Sequence, residues 1–207
     1  MIKNQDRSGW FGASDTYHMM GSFQTRTFAR FWLEKQGLRQ NQIRTPQMLA
    51  GTAYEHRILA AIGVRQMDRQ IKKRSLRLRV NLDGETPERI EEVKTHAAPV
   101  FHLSRAYWMQ AQVEMFAANK LLEIVAYRLE PEDYGNFYRP IDPERITRHP
   151  VLRDEAWLQE QYLPRLRYLA AAFTSIPAEG RKSISRCCWQ CWKTAFRKIF
   201  GLPTMMS

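Results

Sequence analysis

Around residue 76 the hydrophobic period of this chain changes from that of a helix to that of a strand, and this switch limits the fold more than any other feature. Leu76, Leu78, Val80 and Leu82 alternate with Arg77, Arg79 and Asn81, which predicts a half-buried strand with its basic face toward solvent. Asp83-Gly84 is expected to end it as a turn, and a second strand, about residues 89–95, to return antiparallel. Upstream, Ser14 is expected to cap a short helix and Ser22 a longer one ending near Gly37. Thr45-Pro46 makes an N-cap and first-turn pair for a helix that stops at Gly63. Downstream, Ser104 opens an amphipathic helix to about Asn119, and residues 121–130 and 136–141 read as strands. A long helix over about 154–174, with Pro164 as a kink, precedes a basic, aromatic helix near 187–200. Helices before, between and after strands predict an α/β domain with a C-terminal extension.

Composition narrows the class. Of the 207 residues 44% are hydrophobic and 12% aromatic, enough to fill a core and to exclude intrinsic disorder. The longest apolar run, Tyr168 to Phe173, is far short of the roughly 18 residues of a membrane helix, so no membrane partner is expected. The N-terminal MIKNQDRSGWFGASD has no apolar h-region, which predicts a cytoplasmic protein. The cysteines, Cys187, Cys188 and Cys191, crowd into five residues and cannot staple distant parts of the fold, which points to a reducing compartment. Lys and Arg number 32 against 21 Asp and Glu, a net charge of +11. Residues 65–79 carry seven Lys/Arg and one acid, and residues 181–200 carry six and none. Each stretch is also what a solvated face looks like, but two of them in a basic protein favour a polyanionic partner.

Against this background residues 83–92 hold five acids and one Arg. Alternation along the second strand puts Glu92 and Lys94 on one face and sends Glu91 to the other, while the turn brings Asp83 near them. Two carboxylates and an ammonium then share a small site. Mg²⁺ prefers carboxylate oxygens and keeps waters, leaving room for a phosphate and a hydroxide, while a Lys holds or activates that nucleophile. Such a site hydrolyses phosphodiesters. Glu55, in Gly51-Thr52-Ala53-Tyr54-Glu55, adds a carboxylate from a helix, and His56 beside it reads as a packed or surface histidine. Alone, an Asp followed nine residues later by Glu-x-Lys equally describes a surface hairpin of alternating charge.

The ordered context goes further. Arg7 with Gly12-Ala13-Ser14-Asp15, Gly51-x3-Glu55, Asp83-Gly84, Glu92-Val93-Lys94 and Tyr107-Trp108-Met109-Gln110-Ala111-Gln112 follow one another. In this order they resemble the motifs of the PD-(D/E)XK nuclease superfamily, and within it the phage lambda-exonuclease and YqaJ-type viral recombinase group. The resemblance spans about residues 7–112, and Asp83 follows Leu82 rather than the Pro of the superfamily's name. It implies a restriction-endonuclease-like core, a central mixed sheet flanked by helices, over residues 1–180, with residues 181–207 as a basic aromatic helical extension. It implies a Mg²⁺-dependent exonuclease, with Mn²⁺ as a substitute, that resects linear double-stranded DNA ends for recombination by single-strand annealing in a bacterial host cell. Carried over, Glu55, Asp83 and Glu92 resemble the metal ligands, with the Val93 carbonyl adding another, and Lys94 resembles the residue that positions the nucleophile. Gln110 resembles the glutamine beside the metal site and scissile strand, Arg7 and Ser14 resemble the pair that grips a terminal phosphate, and Gln112 is assigned a structural role. A single-strand annealing protein and a ring-shaped homo-oligomer are the partners that the resemblance allows.

Some relatives hold an iron–sulfur cluster with one early and three late cysteines. This chain has the three late ones and no early one, so Cys187, Cys188 and Cys191 are read as free thiols packed with Trp189 and Trp192 rather than as an iron–sulfur or Zn²⁺ site. A non-catalytic DNA-binding or host-interaction protein with a degenerate site is the alternative function. An intact Glu55, Asp83, Glu92 and Lys94 set argues against it.

Overall fold

The computed structural model describes residues 7–39 and 45–175; the expected extension at 181–207, with its three cysteines, lies outside them. A 3-10 turn at Ala13–Asp15 leads into α1 (Thr16–Met20), so Ser14 sits within the turn rather than capping a helix. Helix α2 (Arg26–Lys35) starts where the Thr25 hydroxyl accepts the Phe28 N–H, making Thr25 the cap in place of Ser22. Helix α3 (Pro46–Ala61) begins as the sequence predicts, with Met48 N donating to Thr45 Oγ1 at 3.2 Å. It stops before Gly63, whose φ of +80° is the left-handed conformation that glycine adopts without a Cβ penalty.

Five strands follow: β1 (Gln66–Lys73), β2 (Leu78–Glu85), β3 (Arg89–His96), β4 (Leu121–Arg128) and β5 (Ile146–Val151). They form one sheet in the order β1-β2-β3-β4-β5. Only β3 and β4 are parallel, because α4 (Arg105–Ala118) carries the chain back between them. Ser104 caps α4 as expected, accepting the Tyr107 N–H. The last described helix runs through α5 (Glu155–Trp157), a π-helical stretch (Leu158–Tyr162) and α6 (Leu163–Ser175). Pro164 has no N–H for the carbonyl four residues back, and the helix widens just ahead of it.

Each sheet face has its own core. On one side Leu78, Val80, Leu82, Ile90 and Ile124 pack with α4 and with the Phe11, Phe28 and Trp32 rings; on the other Val93, Val125 and Tyr127 pack under Tyr54, Ile58 and Leu59 of α3. The mixed, helix-flanked sheet is the architecture expected. Among the described residues no helix is long and apolar enough to cross a membrane.

Three local expectations are corrected, and one strand, β1, was not expected. Asp83 and Gly84 lie inside β2, because pairing with β1 from Gln66↔Glu85 onward keeps them extended, and the turn falls at residues 86–88. Strand β1 has a sequence, QMDRQIKK, without apolar alternation, and is held by its ladder to β2. The outward basic face of β2 is not kept either. Phe11 bridges to Leu78, with Arg79 N donating to Phe11 O at 2.8 Å, and Arg79 is buried. Residues 136–141 are irregular, tied down by Arg57, which donates to the Phe137 and Arg139 carbonyls, while β5 forms the sheet edge instead.

Gly84 sets how closely α3 approaches the sheet. A Cβ there would lie 2.7 Å from Leu59 Cδ2 and 2.9 Å from Val64 Cγ1, both buried side chains. Gly84→Ala is therefore expected to cost about 1–3 kcal/mol through overpacking, read from urea denaturation. An unchanged midpoint would show that α3 shifts freely.

Candidate active site

Strands β2 and β3 pair only through Gly84↔Glu91 and Glu85↔Ile90. Ahead of Gly84 they part, and Asp83 Oδ2 accepts the Val93 N–H at 3.0 Å in place of a backbone partner. The facing of β2 also changes here: Leu82 joins the α4-side core, whereas Gly84 abuts Leu59 and Val64 on the α3 side. Across the β1 ladder, between the pairs Met67↔Gly84 and Arg69↔Leu82, Asp68 takes φ +61°, a conformation that Asp tolerates better than most residues. Asp83 thus sits where side chains from both faces of the sheet can meet.

From the α4 side, Lys94 Nζ lies 2.6 Å from Glu92 Oε1 and 5.0 Å from the centre of the Tyr107 ring. Gln110 Nε2 donates to Glu92 Oε1 at 2.5 Å and to Glu114 Oε1 at 2.8 Å. Glu91 does turn to the opposite face, pairing with Arg89 at 2.8 Å and Arg148 at 3.2 Å. From the α3 side comes Glu55. Its neighbour Tyr54 is fully buried and donates to Asp133 Oδ1 at 3.1 Å, which fixes the rotation of the helix.

These groups also feel one another's charge. Burial, then the charges of Glu92 and Glu55, hold the Asp83 carboxyl well above the ordinary carboxylate range. Burial and Glu92 do the same to Glu114, and both raise Glu55 less strongly. Burial opposes the Lys94 ammonium, but Glu92, Asp83 and Glu114 outweigh it and raise its pKa. Their charges favour the ammonium form of Lys94, a hydrogen-bond donor. Four carboxylates against one ammonium leave negative charge uncompensated, and Glu92 Oε2 is buried without a protein hydrogen-bond partner. That donor set fits a hard divalent cation. Among the described residues, the three ligand atoms that lie within 4.8 Å of one another are those of Glu55, His56 and Asp68, with His56 Nε2 3.2 Å from Asp68 Oδ2; Glu55, Asp83 and Glu92, the ligands expected from the sequence, do not form such a group. At Glu92 the cation already at hand is Lys94.

The remaining candidates fall as follows. The Val93 carbonyl faces the same strand edge as the N–H that Asp83 holds, since the two groups of an extended residue share an edge. Arg7 Nη1 donates to Ser14 Oγ at 3.3 Å, both residues exposed. The helix that follows, α1, has only five residues. Gln112 is fully buried and spans a gap in the chain's hydrogen bonding, donating to Leu152 O at 2.8 Å and accepting from Asp154 N at 2.7 Å. Sequence reasoning missed Glu114 and Asp68. Glu114 lies one helical turn after Gln110, a spacing that brings side chains together. Asp68 is the one acid in the basic stretch 65–79.

No protein-family model and no curated protein matches this chain. Among solved structures, an alkaline exonuclease from Laribacter hongkongensis superposes with a TM-score of 0.57 at 17% identity, over 93% of this chain and 96% of that one. A phage-related exonuclease from Haemophilus somnus 129PT gives 0.56 at 13% identity, over 79% and 92%. The fold is thus one shared with exonucleases of phage type. It agrees with the resemblance to the lambda-exonuclease and YqaJ-type group that the motifs carry.

The raised carboxyls predict a pH dependence. With Asp83 and Glu114 held above their ordinary values of about 4, the folded state binds more protons than the unfolded chain over that window. Their contribution to stability is then greatest at the acid end and is lost as pH rises through the window. A divalent cation binds the deprotonated groups and offsets the loss. Thermal melts at about pH 5 and about pH 8 are expected to show the larger gain from Mg²⁺ at the higher pH. A gain that does not grow with pH would reject a carboxylate metal site.

Proposed function

We propose that this protein is a Mg²⁺-dependent deoxyribonuclease, an exonuclease that resects linear double-stranded DNA ends for single-strand annealing recombination. The observation that supports it best is the pairing of Lys94 with Glu92 at 2.6 Å beside the Val93 N–H that Asp83 holds, where β2 and β3 part. Asp83, Glu92, Glu55 and the Val93 carbonyl would hold the metal, Mn²⁺ serving as a substitute. When bound, the ion supplies Lewis acidity toward the phosphate and a more acidic water.

The chain's own residues do the rest. Lys94, kept protonated by its carboxylate neighbours, donates to the attacking water and to the charge that develops on the phosphate. Gln110 donates to Glu92 and in this reading offers its amide oxygen to the same reacting atoms. Arg7 and Ser14, already paired, offer a guanidinium and a hydroxyl to a terminal phosphate. The exposed basic residues of 65–79, Arg65, Lys72 and Arg74, provide backbone contacts that carry no sequence preference. A single-strand annealing protein and a ring of subunits are the partners this reading brings with it.

Three measurements test the proposal. Purified protein is expected to degrade linear duplex, spare covalently closed circles and stop when Mg²⁺ is removed. Lys94→Ala is expected to lower the cleavage rate by about 10²–10³-fold while DNA affinity, measured with Ca²⁺, stays within a few-fold. DNA binding without cleavage by the wild type would support the non-catalytic alternative. For Arg7, the wild type is expected to prefer 5′-phosphorylated over 5′-hydroxyl ends and Arg7→Ala to lose that preference; a variant that keeps it in full removes Arg7 from the site.

A further inference from the structure

Glu114 is the feature of the site that neither the motifs nor the metal requires. It is 1% exposed, Oε2 has no protein hydrogen-bond partner, and its one described hydrogen bond is from Gln110 Nε2 to Oε1 at 2.8 Å. A carboxylate in such a place costs stability that a Met or Leu of similar size would not. A buried polar atom left in this state calls for an explanation.

The geometry of Gln110 supplies one. An amide nitrogen has two hydrogens, and here both are used, one on Glu92 and one on Glu114. Turning the amide over would set its oxygen against the Glu92 carboxylate, which only accepts, so one orientation is favoured. The group left for a substrate or a water is then the Oε1 acceptor. Glu92 alone holds only one of the two hydrogens and leaves the amide plane free to rotate about it. Glu114, four residues on along α4, moves rigidly with Gln110 and removes that freedom.

We infer that Glu114 is a positioning residue: with Glu92 it locks the Gln110 amide so that Oε1 accepts a hydrogen bond from the attacking water. This rests on the nuclease reading and adds to it a residue that acts through Gln110. The burial of Glu114 beside Glu92, which favours its neutral form, leaves Oε1 able to accept from Gln110 in either state.

The test is a double-mutant cycle on cleavage of linear duplex with Mg²⁺. Glu114→Met removes the acceptor at nearly constant volume and relieves a buried polar group, so the variant is expected to melt no lower than the wild type. Its kcat is expected to fall at least tenfold with KM for DNA within twofold. Glu114→Gln, whose amide oxygen still accepts from Gln110, is expected to recover most of the rate. In a Gln110→Ala background, Glu114→Met is expected to change nothing further. Full kcat in Glu114→Met, no rescue by Glu114→Gln, or a double variant slower than Gln110→Ala would each overturn the inference while leaving the nuclease reading intact. A wild type that cleaves no duplex with either Mg²⁺ or Mn²⁺ overturns both.

Discussion

The structure of the site depends on one hydrogen bond, from the Val93 amide to the Asp83 carboxylate. A strand N–H at this depth must have a partner, and in an ordinary ladder it would be a backbone carbonyl of β2. Here a side chain takes that place, so β2 and β3 can part without leaving a buried donor unpaired. The parting lies between α3 on one face of the sheet and α4 on the other. It lets Glu55 from α3 and Gln110 and Glu114 from α4 act on the same pair of strands, which an unbroken sheet would keep apart.

An acidic centre in a chain of net charge +11 is a second consequence. Lys94 is the cation closest to the carboxylates, and its charge is kept by theirs. The surroundings therefore favour a proton on Lys94 and on the Asp83 and Glu114 carboxyls. Remote anchors keep this geometry. Fully buried Asp133 accepts from Tyr54, from Arg139 at 3.0 Å and from Arg145 at 2.6 Å, tying α3 to the segment before β5. Gln112 ties the other flanking helix, α4, to the start of α5.

What could be read without coordinates were features set within a few residues of chain. The caps at Thr45 and Ser104 follow from side-chain chemistry next to a helical pattern, and both hold in the structure. The alternation that separates Glu92 and Lys94 from Glu91 is a property of any extended chain. The order of the acidic elements along the sequence was enough to suggest a fold, and the mixed, helix-flanked sheet agrees with it.

Only the tertiary structure decided the rest, because it depends on pairings between distant segments. Strand β1 has no apolar period and exists through its ladder to β2; polar β5 forms the edge because β4 needs a partner there. Asp83-Gly84 carries the residues of a turn, yet pairing on the β1 side keeps it extended. Local preference of a fraction of a kcal/mol per residue yields to several ladder bonds and two packed cores. Glu114 reads as one more charge on an amphipathic helix, and becomes part of the site only because α4 crosses the face that carries Glu92.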